Sequence, residues 1–354
     1  MAVIGPSNLL REAVAETIAP RASVAVADPM VSIGMPVFNG QNFLRKAIDS
    51  VLAQTFCDFE LIISDNASID ETAAICHDYA DRDARVRYVR NAHNVGAGPN
   101  FDRCFALARG RYFQWAAHDD MFAPDFLERA VAALEAQPDA VLCTAGIVEI
   151  DANDTVIRTF ATDLDDATSA DRVRRFACVI HTRHQCEDFF GLYRREALVG
   201  TGLIGTYSGS DRVLLAEMAL RGRWVRLNAP LFLHRDHAQR ATRALLLVDH
   251  AAALRWQNGD DRDDGGARHG EHFHLTLYRH YWRVVQRSVP PGERAACYRE
   301  LLRWWATDGH SLDVVRDLLR SIDPHLLVAA RTLKRALVGT HRDLRPGSLP
   351  TLER

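Results

Sequence analysis

The chain has 354 residues, of which 47% are hydrophobic and 25% are charged. These values are typical of globular proteins and exclude disorder over most of the chain, and the length suffices for one large domain or two smaller ones. The 43 basic and 46 acidic residues give a formal net charge of −3, so no global positive charge attracts nucleic acid.

The cysteine pattern favours a reducing compartment. The seven cysteines form no C-x-x-C pair, and their odd number argues against a disulfide framework or a structural zinc site. We expect Cys57, Cys76 and Cys104 to be small core residues. Because the sequence contains no run of 18 apolar residues and no signal-peptide core in residues 1–28, we expect a cytoplasmic protein that touches a membrane, if at all, from its inner face.

Strand-like and helix-like segments alternate from residue 29 onward. The predicted strands are Val31–Phe38, Phe59–Ser64, Arg85–Arg90, Arg111–Ala116 and Ala140–Ile150. The predicted helices are Phe43–Gln54, a helix from a capping box at Ser68–Glu71 to about Ala80, Phe101–Ala108 and Pro124–Gln137. This order predicts a Rossmann-like α/β fold, in which a mostly parallel sheet is flanked by helices.

The second half of the sequence is less regular. After an irregular stretch from Asp151 to about Arg240, helical patterns cover Ala244–Trp256 and His272–Leu319, with Trp282, Trp304 and Trp305 as expected packing anchors. We therefore predict an N-terminal extension (1–28), an α/β domain (29–240), a C-terminal helical region (241–340) and a flexible tail (341–354).

Polar clusters follow three of the predicted strands, namely Asn39-Gly40, Asp65-Asn66 and His118-Asp119-Asp120. Ligands of such sheets bind beyond the carboxyl ends of the strands, so three converging ends predict a site. Asp119 and Asp120 repel each other unless a cation neutralises them, and hard divalent cations prefer oxygen ligands. The alternative is that both carboxylates simply favour the dipole of the following helix.

Three further groups have both a functional and a structural interpretation. Asp65 and Asn66 either bind a base or ribose or belong to a turn, and Asp211 is either a general base or a helix N-cap. The segment Leu233–His237 carries two imidazoles and a guanidinium, which bind metal and diphosphate or form a solvated loop. No dinucleotide fingerprint, P-loop or nucleophile elbow occurs in the sequence.

Several ordered motifs resemble the inverting family 2 glycosyltransferases of GT-A fold, over roughly residues 30–240. The matching segments are Val31–Gly40, Ile48–Phe56, Phe59–Thr72, Asn94–Gly96 and the pair Asp119-Asp120. The resemblance implies transfer of a sugar from a nucleotide sugar to an acceptor, with inversion at the anomeric carbon. The 29–240 region is accordingly expected to be the GT-A domain.

The resemblance also implies residue roles. Pro36, Phe38 and Asn39 are expected to hold the nucleoside together with Asp65 and Asn66. In the metal site, Asp120 is expected to bind Mn²⁺ or Mg²⁺, while Asp119 faces the ribose or a metal-bound water.

The remaining roles concern the reacting groups. Asp211 matches the catalytic base, and Arg235 with His237 resembles an R-x-H element near the diphosphate. Because two aspartates leave a six-coordinate cation short of protein ligands, His237 is a further candidate metal ligand.

We therefore expect a UDP-linked sugar as donor and a glycan or lipid-linked acceptor of the cell envelope. The alternatives are a nucleotidyltransferase and a non-catalytic protein that binds nucleotide sugars. The first of these usually carries a Gly-rich phosphate loop where this chain has Met35–Gly40. Finally, Leu326–Val338 predicts either a basic amphipathic helix on an anionic membrane or a packed surface helix.

Overall fold

The computed structural model describes residues 28–240, 256–257 and 273–307. The predictions for residues 1–27, for most of the helix Ala244–Trp256, for Leu326–Val338 and for the tail lie outside these residues.

The strands of the described chain form one nine-stranded sheet, in the order β3-β2-β1-β4-β8-β6-β9-β5, with β7 paired to β6. Their bounds are β1 Val31–Val37, β2 Phe59–Asp65, β3 Val86–Arg90, β4 Tyr112–Trp115, β5 Met121–Phe122, β6 Ala140–Ile150, β7 Val156–Phe160, β8 Leu192–Arg194 and β9 Arg223–Arg235.

The first four strands form a block of parallel neighbours. Val31 pairs with Phe59 on one side and with Tyr112 on the other, so β1, β2 and β4 start in register and end at one edge. β8 then runs antiparallel to both β4 and β6, whereas β6 and β9 are parallel. The predicted α/β sheet is confirmed, but its second half is mixed because β5, β7 and β8 run antiparallel to their neighbours.

The helices pack on both faces of this sheet. Their bounds are α1 Leu44–Leu52, α2 Thr72–Arg82, α3 Ala97–Leu107, α4 Phe126–Ala136, α5 Arg172–His181, α6 Arg195–Leu198, α7 Ser210–Arg221, α8 Phe273–Ser288 and α9 Arg294–Ala306. One core cluster contains apolar residues of α1, α2 and α4, and the other contains those of α3, α5, α7, α8 and α9.

The predicted capping box at Ser68–Glu71 is wrong. The helix begins at Thr72, whose N–H is accepted by Asp70 Oδ1 at 3.0 Å. The Ser68 hydroxyl instead accepts the N–H of Asn39 at 2.9 Å. A tertiary contact with the end of β1 therefore takes the side chain that the local pattern assigned to the helix.

Two more local predictions differ from the structure. α3 begins at Ala97 and not at Phe101, because Gly96 adopts a positive φ of 87° and Pro99 fits within the first turn. The helical pattern over His272–Leu319 is broken between α8 and α9 at Val289–Glu293, which contains Pro290 and Pro291.

The core predictions are partly right. Cys76 and Cys104 are buried, but Cys57 is exposed. Trp304 is buried at 3% exposure, whereas Trp282 and Trp305 are 36% and 39% exposed and are not packing anchors. No helix among the described residues is long and apolar enough to span a bilayer.

Candidate active site

The end of β1 lies against the loop that follows β4. A Cβ on Gly40 would lie 2.6 Å from Val37 Cγ2 and 2.7 Å from His118 Cδ2, which is too close for any side chain. Only glycine allows this approach. The sheet therefore brings His118-Asp119-Asp120 beside Phe38-Asn39, as the strand-end argument predicts.

Phe38 and Asn39 form the exposed part of the β1 end. Phe38 is 39% exposed, and Asn39 is exposed with a positive φ of 52°. Asn39 Oδ1 accepts the N–H of Ile69 at 2.9 Å, which fixes the turn to the segment after β2. Pro36 is buried within β1, so its backbone and not its ring surface shapes the site.

Asp65 and Asn66 are used within the protein. Asp65 is fully buried: Oδ1 accepts the N–H of Ser68, and Oδ2 accepts the Tyr88 hydroxyl at 2.8 Å and Arg90 Nη1 at 3.0 Å. The turn interpretation of Asp65 therefore describes its contacts in this structure.

The Asn66 amide is saturated as well. Its Oδ1 accepts Asn91 Nδ2 and the N–H of Val95, both at 2.9 Å, and its Nδ2 donates to Asn94 Oδ1 and the Gly96 carbonyl. Both side chains thus support the loop before α3, and the hydrogen bonds within the protein occupy both polar atoms of the Asn66 amide that were predicted to bind a base or ribose.

Asp119 pairs with His237. His237 Nε2 lies 2.9 Å from Asp119 Oδ2, and the His237 ring packs 4.6 Å from the ring of Phe43 in the loop before α1. Burial alone raises the pKa of Asp119, but the neighbouring His118 and the hydrogen bond from His237 outweigh it, so its pKa lies well below the usual range. Asp119 is therefore an ionised carboxylate.

Asp120 is held by the end of β9. It is 3% exposed; Oδ1 accepts the N–H of Arg235 at 2.8 Å, and Oδ2 lies 3.3 Å from His234 Nδ1. Burial lowers the pKa of His234, yet the charge of Asp120 and this hydrogen bond raise it overall. Both oxygens of Asp120 thus have partners within the protein, whereas the bond from His237 uses one oxygen of Asp119. That Asp120 binds the metal stays a prediction.

Arg235 is also internal. Its side chain is fully buried, donates to the carbonyls of Asp119 and Asp151 and pairs with Asp154 at 2.6 Å. Its guanidinium also lies over the Phe43 ring, 4.7 Å from the centroid. Arg235 therefore ties the β9 end to neighbouring loops, and its expected contact with the diphosphate is not supported, because its donors are directed at protein acceptors.

A divalent cation fits Asp119 and His237 only in part. The 2.9 Å between His237 Nε2 and Asp119 Oδ2 is a hydrogen bond, so a cation would bind the other carboxylate oxygen, Asp119 Oδ1. Within the described residues, no group of three or more His, Cys, Asp or Glu side chains surrounds a common point. A cation here therefore needs further oxygens from its ligand or from water.

Asp211 lies in the first turn of α7 without being its N-cap. Gly209 occupies the cap with a positive φ of 81°, and Asp211 Oδ1 accepts the N–H of Arg212 at 2.8 Å. The N-cap alternative is thus excluded. Asp211 hydrogen-bonds the Cys186 thiol, and burial followed by the charge of Asp211 raises the pKa of that thiol.

Two further groups interact electrostatically with these residues. The charge of Asp211 contributes to the raised pKa of Cys186, and the charge of Glu187 contributes to the raised pKa of His234. Sequence reasoning missed Cys186 and Glu187 and ranked His234 below His237. The available signal was the position of Glu187 two residues before the aromatic pair Phe189-Phe190.

Comparison with known proteins agrees with this geometry. Residues 32–200 match the model of glycosyl transferase family 2. An uncharacterized glycosyltransferase of Rickettsia prowazekii is 38% identical over 109 residues, which is 31% of this chain and 33% of that protein. The uncharacterized glycosyltransferase EpsJ of Bacillus subtilis is 35% identical over 116 residues, 32% of this chain and 33% of EpsJ. The match thus spans about a third of the length of these relatives.

The fold is shared with a solved structure. S. aureus TarS 1-349, crystallised in complex with UDP, superposes with a TM-score of 0.54 and 14% identity, covering 80% of this chain and 74% of that one. The same protein without UDP gives a TM-score of 0.51 over 83% of this chain. At this identity the likeness concerns the fold, and it confirms the predicted GT-A class.

Proposed function

We propose that this chain transfers a sugar from a nucleotide sugar to an acceptor hydroxyl, with inversion and with the help of Mn²⁺ or Mg²⁺, because residues 32–200 match the model of glycosyl transferase family 2. The proposed donor is UDP-linked, a choice supported by the UDP held in the TarS complex. The proposed acceptor is a glycan or a lipid-linked saccharide. The proposed catalytic unit is residues 29–240, with α8 and α9 as an accessory part.

The nucleoside is assigned to the β1 end. Phe38 offers a 39% exposed ring beside exposed Asn39, and a ring can stack on a base. Asp65 and Asn66 support this surface from behind, because their polar atoms fix the turns after β2 and before α3. Their role in donor binding is thus to shape the nucleoside pocket.

The diphosphate is assigned to Asp119 and His237. The hydrogen bonds of Asp119 among the described residues involve Oδ2, which leaves Oδ1 for a cation. When bound, Mn²⁺ or Mg²⁺ supplies positive charge that stabilises the departing diphosphate. Asp120 and Arg235 keep this pair in place, since both fasten the β9 end to the loop after β4.

Asp211 is the proposed general base. The acceptor oxygen attacks the anomeric carbon while its proton passes to the Asp211 carboxylate, and the bond between that carbon and the diphosphate oxygen breaks. The observation that carries the proposal is the match of residues 32–200 to the model of glycosyl transferase family 2, in a chain whose Asp119, Asp120, His234 and His237 meet in the loop after β4 and at the end of β9.

The test combines a donor panel with one substitution. The protein is incubated with UDP-, GDP- and dTDP-sugars plus Mn²⁺, and nucleoside diphosphate release is followed. Asp211→Asn keeps the side-chain volume but cannot take the proton, so turnover should fall by about 10²–10⁴-fold while UDP affinity is retained. Asp125→Asn, at the start of α4, is the matched control and should keep native turnover. Native turnover in Asp211→Asn, or release of no nucleoside diphosphate from any donor, overturns the proposal.

A further inference from the structure

The two C-terminal helices carry a row of large apolar side chains along their junction. The Trp282 and Tyr298 rings stack at 4.0 Å with an interplanar angle of 17°. Tyr278 lies 6.4 Å from Trp282 and 6.2 Å from Trp305. Together with Leu302, these residues form what we call the aromatic seam, which runs across α8 and α9.

The seam is on the solvent side of the helices. Leu302 is 50% exposed, and Trp282 and Trp305 are 36% and 39% exposed. The opposite sides of the two helices supply the core, through residues such as Tyr281 and Leu301, which are fully buried. Tyr278 and Tyr298 of the seam are partly buried against that core, whereas Trp282, Leu302 and Trp305 are exposed. An exposed apolar row of this kind indicates an interaction surface.

Positive charge accompanies the seam. Residues 273–307 contain six arginines and two glutamates, a net +4. Both glutamates are already paired, Glu293 with Arg172 and Glu300 with Arg303.

Two arginines beside the seam keep their charge available. In the part of the chain that the structure describes, Arg279 and Arg299 are exposed and form no ion pair. At 100° per residue, each lies about 60° around its helix from Trp282 or Leu302. The seam thus has an unneutralised positive border.

This combination matches the interface of an anionic bilayer. Trp and Tyr rings prefer the headgroup level, where an apolar body and a polar edge are both satisfied, and arginines there are attracted by lipid phosphates. A second copy of the same surface fits less well, because a two-fold contact would bring arginines against arginines. We propose that the aromatic seam, with Arg279 and Arg299, docks this protein onto a membrane rich in anionic phospholipid.

Vesicle binding by the full chain tests the proposal. Sedimentation with phosphatidylglycerol-containing vesicles should exceed that with pure phosphatidylcholine and should weaken with added salt. Arg279→Gln and Arg299→Gln should each lower the partition coefficient about 5-fold, the equivalent of about 1 kcal/mol per charge. Trp282→Ser with Trp305→Ser should lower it by more than about tenfold and abolish quenching of tryptophan fluorescence by brominated lipid.

Controls separate docking from folding. Ile157→Ser removes a side chain of similar exposure, 51%, from β7 and should leave vesicle binding unchanged. The two arginine variants are exposed and unpaired, so their thermal melting should match the native protein even if the tryptophan variant melts lower. The proposal is overturned by absence of binding to anionic vesicles, by equal binding in the arginine variants, or by a dimer in sedimentation equilibrium that the tryptophan variant dissociates.

Discussion

The carboxylates of the site differ in how much of their hydrogen-bonding capacity the protein itself uses. Asp65 and Asp120 are buried, and each accepts bonds at both oxygens. Asp119 uses Oδ2 among the described residues. Because a group saturated by protein donors has little left for a ligand, we propose that Asp119 binds the cation and that Asp120 holds the end of β9.

Exchanging the two aspartates for asparagine separates these roles. Asp119→Asn should lose the stimulation of turnover by Mn²⁺ with little change in melting temperature, since the amide oxygen still accepts from His237. Asp120→Asn should lower the free energy of unfolding by roughly 1–3 kcal/mol, because one buried carboxylate oxygen that now accepts a hydrogen bond is lost. Thermal melts and Mn²⁺ titrations of both variants measure this. If Asp120→Asn alone loses metal stimulation, the assignment is reversed.

Asp102 on α3 is a titrating group outside the proposed chemistry. Burial raises its pKa from 3.8 to about 7, although its bond from the Ile204 N–H, at 2.9 Å, acts in the other direction. Between these two pKa values the folded state keeps the Asp102 carboxyl protonated, whereas the unfolded state has released that proton. This contribution to stability is present below the ordinary pKa and is lost as the pH rises through about 7.

Asp102→Asn should therefore stabilise the protein in a pH-dependent way. The amide can still accept the Ile204 N–H but carries no charge to bury. Relative to the native chain, the free energy of unfolding of the variant should rise by roughly 1–3 kcal/mol between acidic and mildly alkaline pH. Melting temperatures measured at closely spaced pH values check this, with exposed Asp125→Asn as control. If the difference in melting temperature between the variant and the native protein is the same at every pH in this range, the raised pKa of Asp102 is contradicted.

At the scale of elements, α7 is fastened to α8 through one buried carboxylate. Glu217 of α7 is 1% exposed and accepts Arg221 Nη2 at 2.8 Å, Arg287 Nε at 2.9 Å and the Ser288 hydroxyl at 3.1 Å. Since Asp211 lies in the first turn of the same helix, this contact links the C-terminal hairpin to the proposed base.

Removing this carboxylate should weaken the attachment of the hairpin. Glu217→Ala removes the carboxylate that Arg287 and Arg221 share. Because both arginines reach solvent, we expect the free energy of unfolding to fall by about 2 kcal/mol. Glu217→Gln keeps the shape and one acceptor oxygen and should lose less. Chemical denaturation gives both values. Glu196→Ala, in the short exposed turn α6, serves as control. Equal stability of Glu217→Ala and the native chain contradicts the anchoring role.

At the scale of the whole molecule, β1, β4 and β9 bring distant residues together at one edge of the sheet. Asp119 and His237 are 118 positions apart, yet their side chains are in contact. The proposed donor site therefore exists only in the folded chain, and ligands that bind it should stabilise the fold.

UDP with Mn²⁺ should raise the melting temperature. At a ligand concentration of about 100 times Kd, binding to the native state alone stabilises it by about 2.7 kcal/mol. UDP without metal should do much less, and EDTA should reverse the shift. ADP with Mn²⁺ is the control for base selectivity. An identical shift with UDP in the presence of EDTA contradicts a cation between Asp119 and the diphosphate.

The sequence by itself determined the class of fold and the location of the site. Alternating periodicities place β1 to β4 and their helices within a few residues, because these elements form from contiguous amphipathic or apolar segments. The polar residues after β1, β2 and β4 indicated the functional edge, because parallel strands end together. The motifs from Val31 to Asp120 likewise predicted the family that residues 32–200 match.

The tertiary structure decided what each polar side chain does. The Ser68 hydroxyl accepts the N–H of Asn39 and does not cap the helix as predicted. Asp120 and Arg235 bond to protein groups far along the chain. Trp282 is exposed to solvent, although a packing anchor was expected. None of these outcomes follows from local pattern, since hydrogen-bond partners and burial depend on which elements the fold places opposite each residue. The sequence determines which side chains are chemically able to bind a ligand, and the tertiary contacts determine which of them keep a polar atom available for it.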